Sequence, residues 1–375
     1  MEKIYSSLGL MSGTSMDGID ASIIKSNGVE KYETVFDQYF EYDEEIYREL
    51  IDIRDKINSS NNLKKNSNSI NTLERKITLF HAKICKQIIE ECNIDLDLVG
   101  FHGQTIFHSA NEKISRQLGD GNLLSSLIEK KVVYNFRKND ILNGGQGAPL
   151  APIFHQLLVK QNKIKLPTCI LNIGGIANIT IISSEEPNDL KSYDIGPGNC
   201  LLDEWVRKNS KERYDKNGAL AKLGKTCEII LNQEINTFHS IKKKNNLSFD
   251  IKNFDLNFVR GLSLEDGLST LIDFTASIIY ESVVNENNYF KDNNLKILIC
   301  GGGRKNLSLI KAIKKRLPKS IDLNLIDDYK IDGDFVESQA FAYLAIRSFL
   351  KKPISFPGTT NVEKPCLGGV LSKNY

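Results

Sequence analysis

Apolar and polar positions come in blocks along this chain, and the first block sets the pattern. Leu8 to Ile24 (LGLMSGTSMDGIDASII) puts a polar, glycine-bearing turn between two apolar runs, which predicts a strand, a loop and a second strand. The loop from Ser12 to Gly18 carries two glycines, three hydroxyls and the carboxylate of Asp17, with no bulky side chain before Met16. Such a loop leaves N–H groups and hydroxyls to meet phosphate oxygens, yet taken alone it fits an ordinary hairpin equally well. A serine-nucleophile reading of GTSM fails. Ser15 precedes every histidine and sits between strands, whereas proteases with that signature place the serine last, at the start of a helix.

Further along, the charged stretch Phe40 to Ile57 predicts a helix, and Asn58 to Asn71, nearly devoid of apolar residues, predicts a surface loop or insertion. Leu73, Ile77, Phe80, Ile84 and Ile88 then recur at helical spacing and form one apolar stripe. A short strand at Leu98 to Phe101 ends in His102-Gly103-Gln104-Thr105, so polar groups fall where an α/β sheet binds ligands. Gln117 to Asn122 (QLGDGN) reads as a turn capping a helix through Leu127, and Val132 to Asp140 (VVYNFRKND) as a short strand followed by a charged cluster of Arg137, Lys138 and Asp140. Gly144 to Pro152 (GGQGAPLAP) interrupts regular structure before a helix from Ile153, and a domain crossing is expected there.

The second half opens by repeating the first. Thr168 to Ile182 (TCILNIGGIANITII) is again apolar, glycine-interrupted and apolar, which suggests a duplicated architecture with both halves offering a loop to one ligand. Tyr193 to Trp205 (YDIGPGNCLLDEW) passes from a strand through Gly196-Pro197-Gly198 into a helix capped by Asn199, leaving Asp194 at the strand end. A helix is predicted over Ser263 to Val283 and a buried strand over Leu295 to Cys300. That strand stops at Gly301-Gly302-Gly303-Arg304-Lys305-Asn306 ahead of another helix, an order that lets a ligand reach the backbone near a helix dipole. The two commonest nucleotide signatures, G-x-G-x-x-G and G-x-x-x-x-G-K-[ST], are absent. A last helix over Phe335 to Lys351 carries Glu337 near its start, and the tail is turn-rich.

Composition narrows the function classes. A net charge of +2 with 26% charged residues gives no field that points to nucleic acid or an anionic membrane. The seven cysteines are scattered, without a C-x-x-C pair, which fits reduced thiols in a cytoplasm. No apolar stretch approaches the roughly 20 residues that span a bilayer.

The motifs GLMSGTSMDGID, GFHGQT, QLGDGN, GGQGAPLAP, LNIGGIANIT, DIGPGN and CGGGRKN, in that order, closely resemble the anhydro-N-acetylmuramic acid kinases of bacterial peptidoglycan recycling. The resemblance runs from about Gly9 into the C-terminal tail. It implies an α/β fold of two related ribonuclease-H-like domains, of the actin, hexokinase and heat-shock ATPase superfold, with an ATP cleft between them. The domains expected are 1–150 with 340–375, and 151–339. Gly13, Thr14, Ser15, Met16, Asp17, Gly18, Ile19 and Asp20 are then the first phosphate loop, and Asn172, Gly174, Gly175 and Asn178 the second. Gly196, Gly198 and Asn199 lie beside them, and Gly301, Gly302, Gly303 and Asn306 are the adenosine-side loop. The implied reaction opens the 1,6-anhydro ring with water and phosphorylates O6 from ATP, with Asp194 as general base. His102, Gln104, Thr105, Asp120 and Glu337 are expected on the sugar side. Mg²⁺ is expected at the phosphates, held largely through water by Asp17 or Asp20, the choice between them being open.

Structural competitors are clear for several of these residues. Asp194 also suits a helix cap, and His102 with His108 lacks a third ligand at a zinc-like spacing. Trp205 suits a core position, and Asp203 with Glu204 a surface one. A different sugar kinase of the superfold, or a non-catalytic ATP-binding sugar sensor, are the alternative functions. The expected partners are ATP, water and an anhydro amino sugar, without nucleic acid or membrane. A homodimer is compatible with the chain.

Overall fold

A computed structural model describes residues 3–244, 249–290 and 295–375. The chain divides into two compact units, one of Met1–Ile164, Glu185–Lys191 and Phe335–Tyr375, the other of Lys165–Ser184 and Ser192–Asp334. In the first unit, β1 (Tyr5–Ser12), β2 (Gly18–Ser26), β3 (Tyr32–Glu41), β4 (Leu98–Ser109), β5 (Ile114–Leu118) and β6 (Val132–Tyr134) form one sheet with a strand from the tail, Val370–Ser372. Its order from the far edge is β3-β2-β1-β4-β6, then the tail strand, with β5 paired to β4. The second unit carries β7 (Thr168–Ile173), β8 (Ile176–Ile182), β9 (Lys191–Pro197), β10 (Lys296–Cys300) and β11 (Asp322–Leu325) in the order β9-β8-β7-β10-β11. The tail strand, last in the chain, is β12.

The two orders are the same. In each unit the first two strands form an antiparallel hairpin and the fourth joins the first in parallel. The echo between Leu8–Ile24 and Thr168–Ile182 is therefore architectural, with each glycine-bearing stretch forming the turn of its unit's leading hairpin.

Packing in the first unit depends on a flat patch of sheet. Gly9 of β1 and Gly100 of β4 are direct cross-strand neighbours. A Cβ on Gly9 would lie 2.0 Å from the Ser338 carbonyl, and one on Gly100 would lie 2.3 Å from that of Phe341. The helix Val336–Phe349 thus rests with its backbone almost on the sheet, its small Ala342 and Ala345 facing it. The predicted stripe of Leu73, Ile77, Ile84 and Ile88 is buried on the helix Ser67–Cys92, with Phe80 partly buried beside it. In the second unit the helix Leu264–Tyr289 is the core element, burying Leu268, Leu271, Ile272, Phe274, Ile279 and Val283. Its stretch Leu264–Asn288 is, among the described residues, long and apolar enough by composition to cross a membrane, but 67% of its most apolar window is buried.

Several expectations need correcting. Asn58–Asn71 is helical: it holds the short helix Ser60–Lys65 and the start of Ser67–Cys92, where Ile70 reaches the core. The edge strand β3 sets its apolar residues in the adjacent pairs Val35–Phe36 and Tyr39–Phe40, so alternation gave no sign of it; its backbone pairing with β2 makes it a strand. His102, Gln104 and Thr105 lie within β4, which continues to Ser109 because β5 pairs with its second half. The helix Pro152–Gln161 belongs to the first unit, where Phe154 meets the ring of Tyr343 at 5.6 Å, so the division falls after this helix and not at the Gly144–Pro152 break.

Candidate functional site

The first loop spans the five residues between β1 and β2. The Gly13 carbonyl closes its turn by accepting from Met16 N–H at 3.3 Å, and Met16 holds a left-handed backbone with φ of 60°. Met16 is buried and anchors the loop, while Thr14 and Ser15 are exposed. Ser15 Oγ donates to Asp17 at 2.5 Å, and the Asp17 carbonyl accepts from Tyr42 N–H at 2.8 Å. Below the loop, Ser12 and Tyr42 share a buried hydroxyl–hydroxyl bond of 2.9 Å. Ile19 is core, and Asp20 sits in the body of β2 between Met11 and Tyr39.

The parallel strands β1, β4 and β6 bring a second group of side chains to this edge of the first unit. His102 is buried on β4, with Nδ1 bonded to the Gly103 carbonyl at 2.7 Å. Its Nε2 accepts from Arg137 Nε at 3.2 Å and Nη2 at 2.9 Å, which fixes the neutral, Nδ1-protonated tautomer. Burial, and then the Arg137 charge, hold its pKa well below the usual histidine range. Arg137 also donates to the Gly147 carbonyl at 2.8 Å, tying in the GGQG turn. Glu337, at the first turn of its helix, has its pKa raised by burial against the opposing pull of Arg137. Arg137 is thus the hub of this group. The sequence had shown it only as one of three charges after a short strand; its place following a strand parallel to β4 was the available signal.

Other sugar-side expectations land differently. Thr105 Oγ1 accepts from Gln117 at 3.2 Å. Asp120 is the N-cap of the helix Gly121–Ile128, its Oδ1 accepting from Asn122 N–H at 2.9 Å and Leu123 N–H at 3.1 Å.

In the second unit three loops converge. The Gly174–Gly175 turn accepts from the backbone of Gly198, Asn199 and Cys200 at 2.8 to 3.1 Å, and Asn172 pairs with Asn178 across the hairpin below it. Gly301, with φ of 80°, presses against the Asn172 side chain. Arg304, only 6% exposed, braces this loop: it donates to the Gly301 carbonyl at 3.2 Å and to the carboxylates of Asp327, Asp332 and Asp334 at 2.5 to 3.2 Å. Asn306 caps the helix Leu307–Arg316 through Leu309 N–H at 3.0 Å. Asn199 occupies the cap position of its helix but makes no side-chain cap bond; its amide points to the Ile173 carbonyl at 3.4 Å, so the expected cap role is corrected. Asp194 lies mid-strand in β9, and its Oδ2 accepts from Phe249 N–H at 2.8 Å, so it does not cap the following helix. Trp205 is core, with Nε1 donating to the Leu264 carbonyl at 3.0 Å.

The glycines separate into two kinds. At Gly18, Gly198 and Gly303 a Cβ would come within 2.4 Å of Phe40 O, Gly174 O or the Ile173 side chain, so packing alone demands glycine. At Gly13, Gly174 and Gly302 a Cβ would meet nothing closer than 3.6, 3.6 and 3.9 Å, and none of the three has a positive φ. Every other glycine whose surroundings are described has either a positive φ or an atom within 3.0 Å of that point. The three exceptions lie one in each expected nucleotide loop. A metal cage is a separate matter: among the described residues no three His, Cys, Asp or Glu side chains cluster to hold an ion.

Duplicated α/β units with one strand order, each presenting a glycine-bearing turn on its leading hairpin, are the architecture of the actin and hexokinase superfold. The chain belongs to the anhydro-N-acetylmuramic acid kinase family, whose family model matches residues 5–374. An anhydro-N-acetylmuramic acid kinase from Pelagibacter ubique is 68% identical over 375 residues, covering all of both chains. One from Zymomonas mobilis is 36% identical, over 96% of this chain and 98% of its own. Among solved structures, the activator of the 2-hydroxyisocaproyl-CoA dehydratase from Clostridium difficile with bound ADPNP matches 92% of this chain and 96% of its own, at a TM-score of 0.44 and 11% identity. A ROK family glucokinase from Streptomyces griseus in complex with glucose and AMPPNP matches 91% and 99%, at 0.40 and 10%.

Proposed function

We propose that this chain opens 1,6-anhydro-N-acetylmuramic acid with water and phosphorylates its O6 from ATP, giving N-acetylmuramic acid 6-phosphate and ADP. The observation that carries this reading is the set Gly13, Gly174 and Gly302, glycines that neither backbone conformation nor packing requires. Room beside an exposed backbone is what a phosphate chain or an adenosine needs for close approach.

In this reading Gly13, Thr14, Ser15, Gly174 and Gly175 receive phosphate oxygens, and Gly302 lies along the adenosine. Gly18, Met16 and Ile19 hold the first loop in shape, and Gly196, Gly198, Asn199, Gly303 and Asn306 do the same for the second unit's loops. Asp194 takes a proton from the water that adds to C1 while the C1–O6 bond breaks. O6 then bonds the γ-phosphorus as the bond to the ADP oxygen breaks. His102, Arg137, Glu337, Gln104 and Thr105 contact the sugar, and Asp120 offers it Oδ2, since Oδ1 serves the helix cap. Mg²⁺, when bound, would neutralise charge on the phosphates; Asp17 in the loop and Asp20 in the adjoining strand β2 are the carboxylates here that suit an ion kept mostly in water. Among the described residues none of the seven cysteines is in a disulfide, which suits a reducing cytoplasm as the compartment.

The test is an ADP-release assay on the purified chain with the anhydro sugar, followed by prompt mass spectrometry of product formed in heavy-oxygen water. ADP release with label at C1 supports the reaction. Release without label makes it a kinase of an ordinary hydroxyl, and absence of release across anhydro sugars and hexoses leaves the sensor alternative.

A further inference from the structure

Asp140 lies in the short helix Lys138–Leu142 and is 1% exposed. Its Oδ1 accepts from Ser355 Oγ at 2.5 Å and Thr360 Oγ1 at 2.7 Å, and its Oδ2 accepts from Gly147 N–H at 2.7 Å. All three donors are neutral, so the carboxylate has exchanged water for hydrogen bonds alone, a costly burial that they offset only while their geometry holds. The turn Gly145–Gly147 is pinned at three successive N–H groups. Gly145 donates to the Asp140 carbonyl at 2.9 Å, Gln146 to the Thr360 carbonyl at 2.7 Å, and Gly147 to Asp140 Oδ2. Only the last of these bonds is made by a side chain, so it is the one that a substitution removes. Gly147 has φ of 76°, and its own carbonyl accepts from Arg137 Nη1 at 2.8 Å. The same guanidinium sets Nε and Nη2 on His102 Nε2, so a shift of the Gly147 carbonyl moves the fork on the imidazole.

We propose that Asp140 is a positioning residue for the sugar-side group. Through Gly147 it sets the plane of the Arg137 guanidinium, and through that plane the His102 ring. Ser355 and Thr360 make the C-terminal tail part of the same support. This rests on the kinase reading above, in which Arg137 and His102 meet the sugar. A misplacement of about 1 Å in such a group costs about 10² in rate, which is the leverage a residue without any contact to substrate has here.

The experiment is steady-state kinetics of the full chain, for the anhydro sugar and for ATP, in Asp140→Leu, which keeps a similar size but accepts no bond. There kcat/KM for the sugar should fall by about 10² while KM for ATP holds. Asp140→Asn should recover most of that loss, because its amide oxygen still takes Gly147 N–H while the two hydroxyls turn to accept from its nitrogen. In an Arg137→Met background Asp140→Leu should cost no more than about 2-fold further, since the group it positions is already gone. A loss that multiplies in full with that of Arg137→Met, or that falls equally on ATP, overturns the proposal. The nitrogen NMR signal of His102 Nε2 should also shift in Asp140→Leu, and an unmoved signal overturns the proposal whatever the substrate. If Asp140→Leu fails to fold by circular dichroism, Asp140→Ser, whose hydroxyl stops short of Gly147 and leaves room for water, takes its place with the same expectations. ADP release by the wild type is measured first. A wild type that releases none defeats the kinase reading, and the His102 signal then decides the role of Asp140 by itself.

Discussion

Arg137 presents two nitrogens to a single acceptor, Nε2 of His102, at 3.2 and 2.9 Å. A guanidinium fork does this with one planar group, and the ammonium of a lysine does not. Arg137→Lys should therefore loosen the His102 ring and lower kcat/KM for the sugar by about 10². Arg137→Met should in addition raise the His102 pKa, because the largest pressure against its protonation after burial is removed. Histidine titration by NMR reads this directly, and an unmoved His102 would show that burial alone sets its state.

Acid stability follows from the same kind of burial. His81 and His108, each with a pKa lowered to about 4, His155, lowered to about 3, and His102 are neutral in the folded chain. Unfolded, each protonates near 6.5, so the unfolded state binds more protons below that pH. Their contribution is fully present above about pH 6.5 and is lost as pH falls toward the folded values, at roughly 1 kcal/mol per histidine by pH 5.5. Urea midpoints measured from pH 7.5 to 5 should fall steadily, and substituting His155 with an apolar residue of similar size should flatten the slope by about one quarter. A midpoint that holds level to pH 5 would contradict the neutral assignment.

Gly13 and Gly18 bracket one loop, yet they should respond to alanine in opposite ways. Gly13→Ala puts a methyl no nearer than 3.6 Å to any atom and should leave stability within about 0.5 kcal/mol while weakening ATP binding by about tenfold. Gly18→Ala sets its methyl 2.4 Å from the Phe40 carbonyl and should cost roughly 2 kcal/mol. Denaturant unfolding and nucleotide titration on both variants check the pair. Equal destabilisation would mean that Gly13 serves the fold.

This contrast also marks what the sequence can carry. Both hairpins were legible, because turn chemistry between apolar runs is a local signal, and so was the stripe of Leu73, Ile77, Ile84 and Ile88. The edge strand β3 was not, since only its pairing with β2 defines it, nor was the helix at Ser60–Lys65, whose composition is that of a loop. In the site, residue types were readable but not their placement: His102, Gln104, Thr105 and Asp194 lie within strands instead of at their ends, and which glycine has room and which faces a carbonyl depends on distant neighbours. Arg137 escaped for a related reason: its meaning comes from His102, 35 positions away.

Asp194 offers a substitution that keeps structure and removes chemistry. Its Oδ2 accepts from Phe249 N–H at 2.8 Å, and an asparagine oxygen accepts the same bond. Asp194→Asn should therefore melt close to the wild type and bind ATP normally, while turnover drops by a factor of about 10² or more for want of a base. Turnover near that of the wild type would remove Asp194 from the mechanism.

Arg304 stands behind the Gly301–Asn306 loop with its guanidinium shared among Asp327, Asp332 and Asp334. Burial alone would raise the carboxyls of Asp327 and Asp334, but their bonds to Arg304 prevail and hold both below the usual range. Gly333 is glycine because a Cβ there would lie 2.4 Å from Arg304 Nε, so the acidic loop is shaped around this cation. Arg304→Met leaves three carboxylates facing one another and releases the Gly301 carbonyl. Because those carboxylates remain partly exposed, the cost should sit near the low end for a broken buried pair, about 3 kcal/mol. That corresponds to a melting temperature lowered by roughly 5–10 °C for a unit of this size. If the loop holds adenosine, KM for ATP should rise while KM for the sugar stays unchanged, and the melting loss should shrink as pH falls and the carboxylates protonate. A variant that melts lower but keeps its KM for ATP would limit Arg304 to stability and detach the Gly301 loop from the nucleotide.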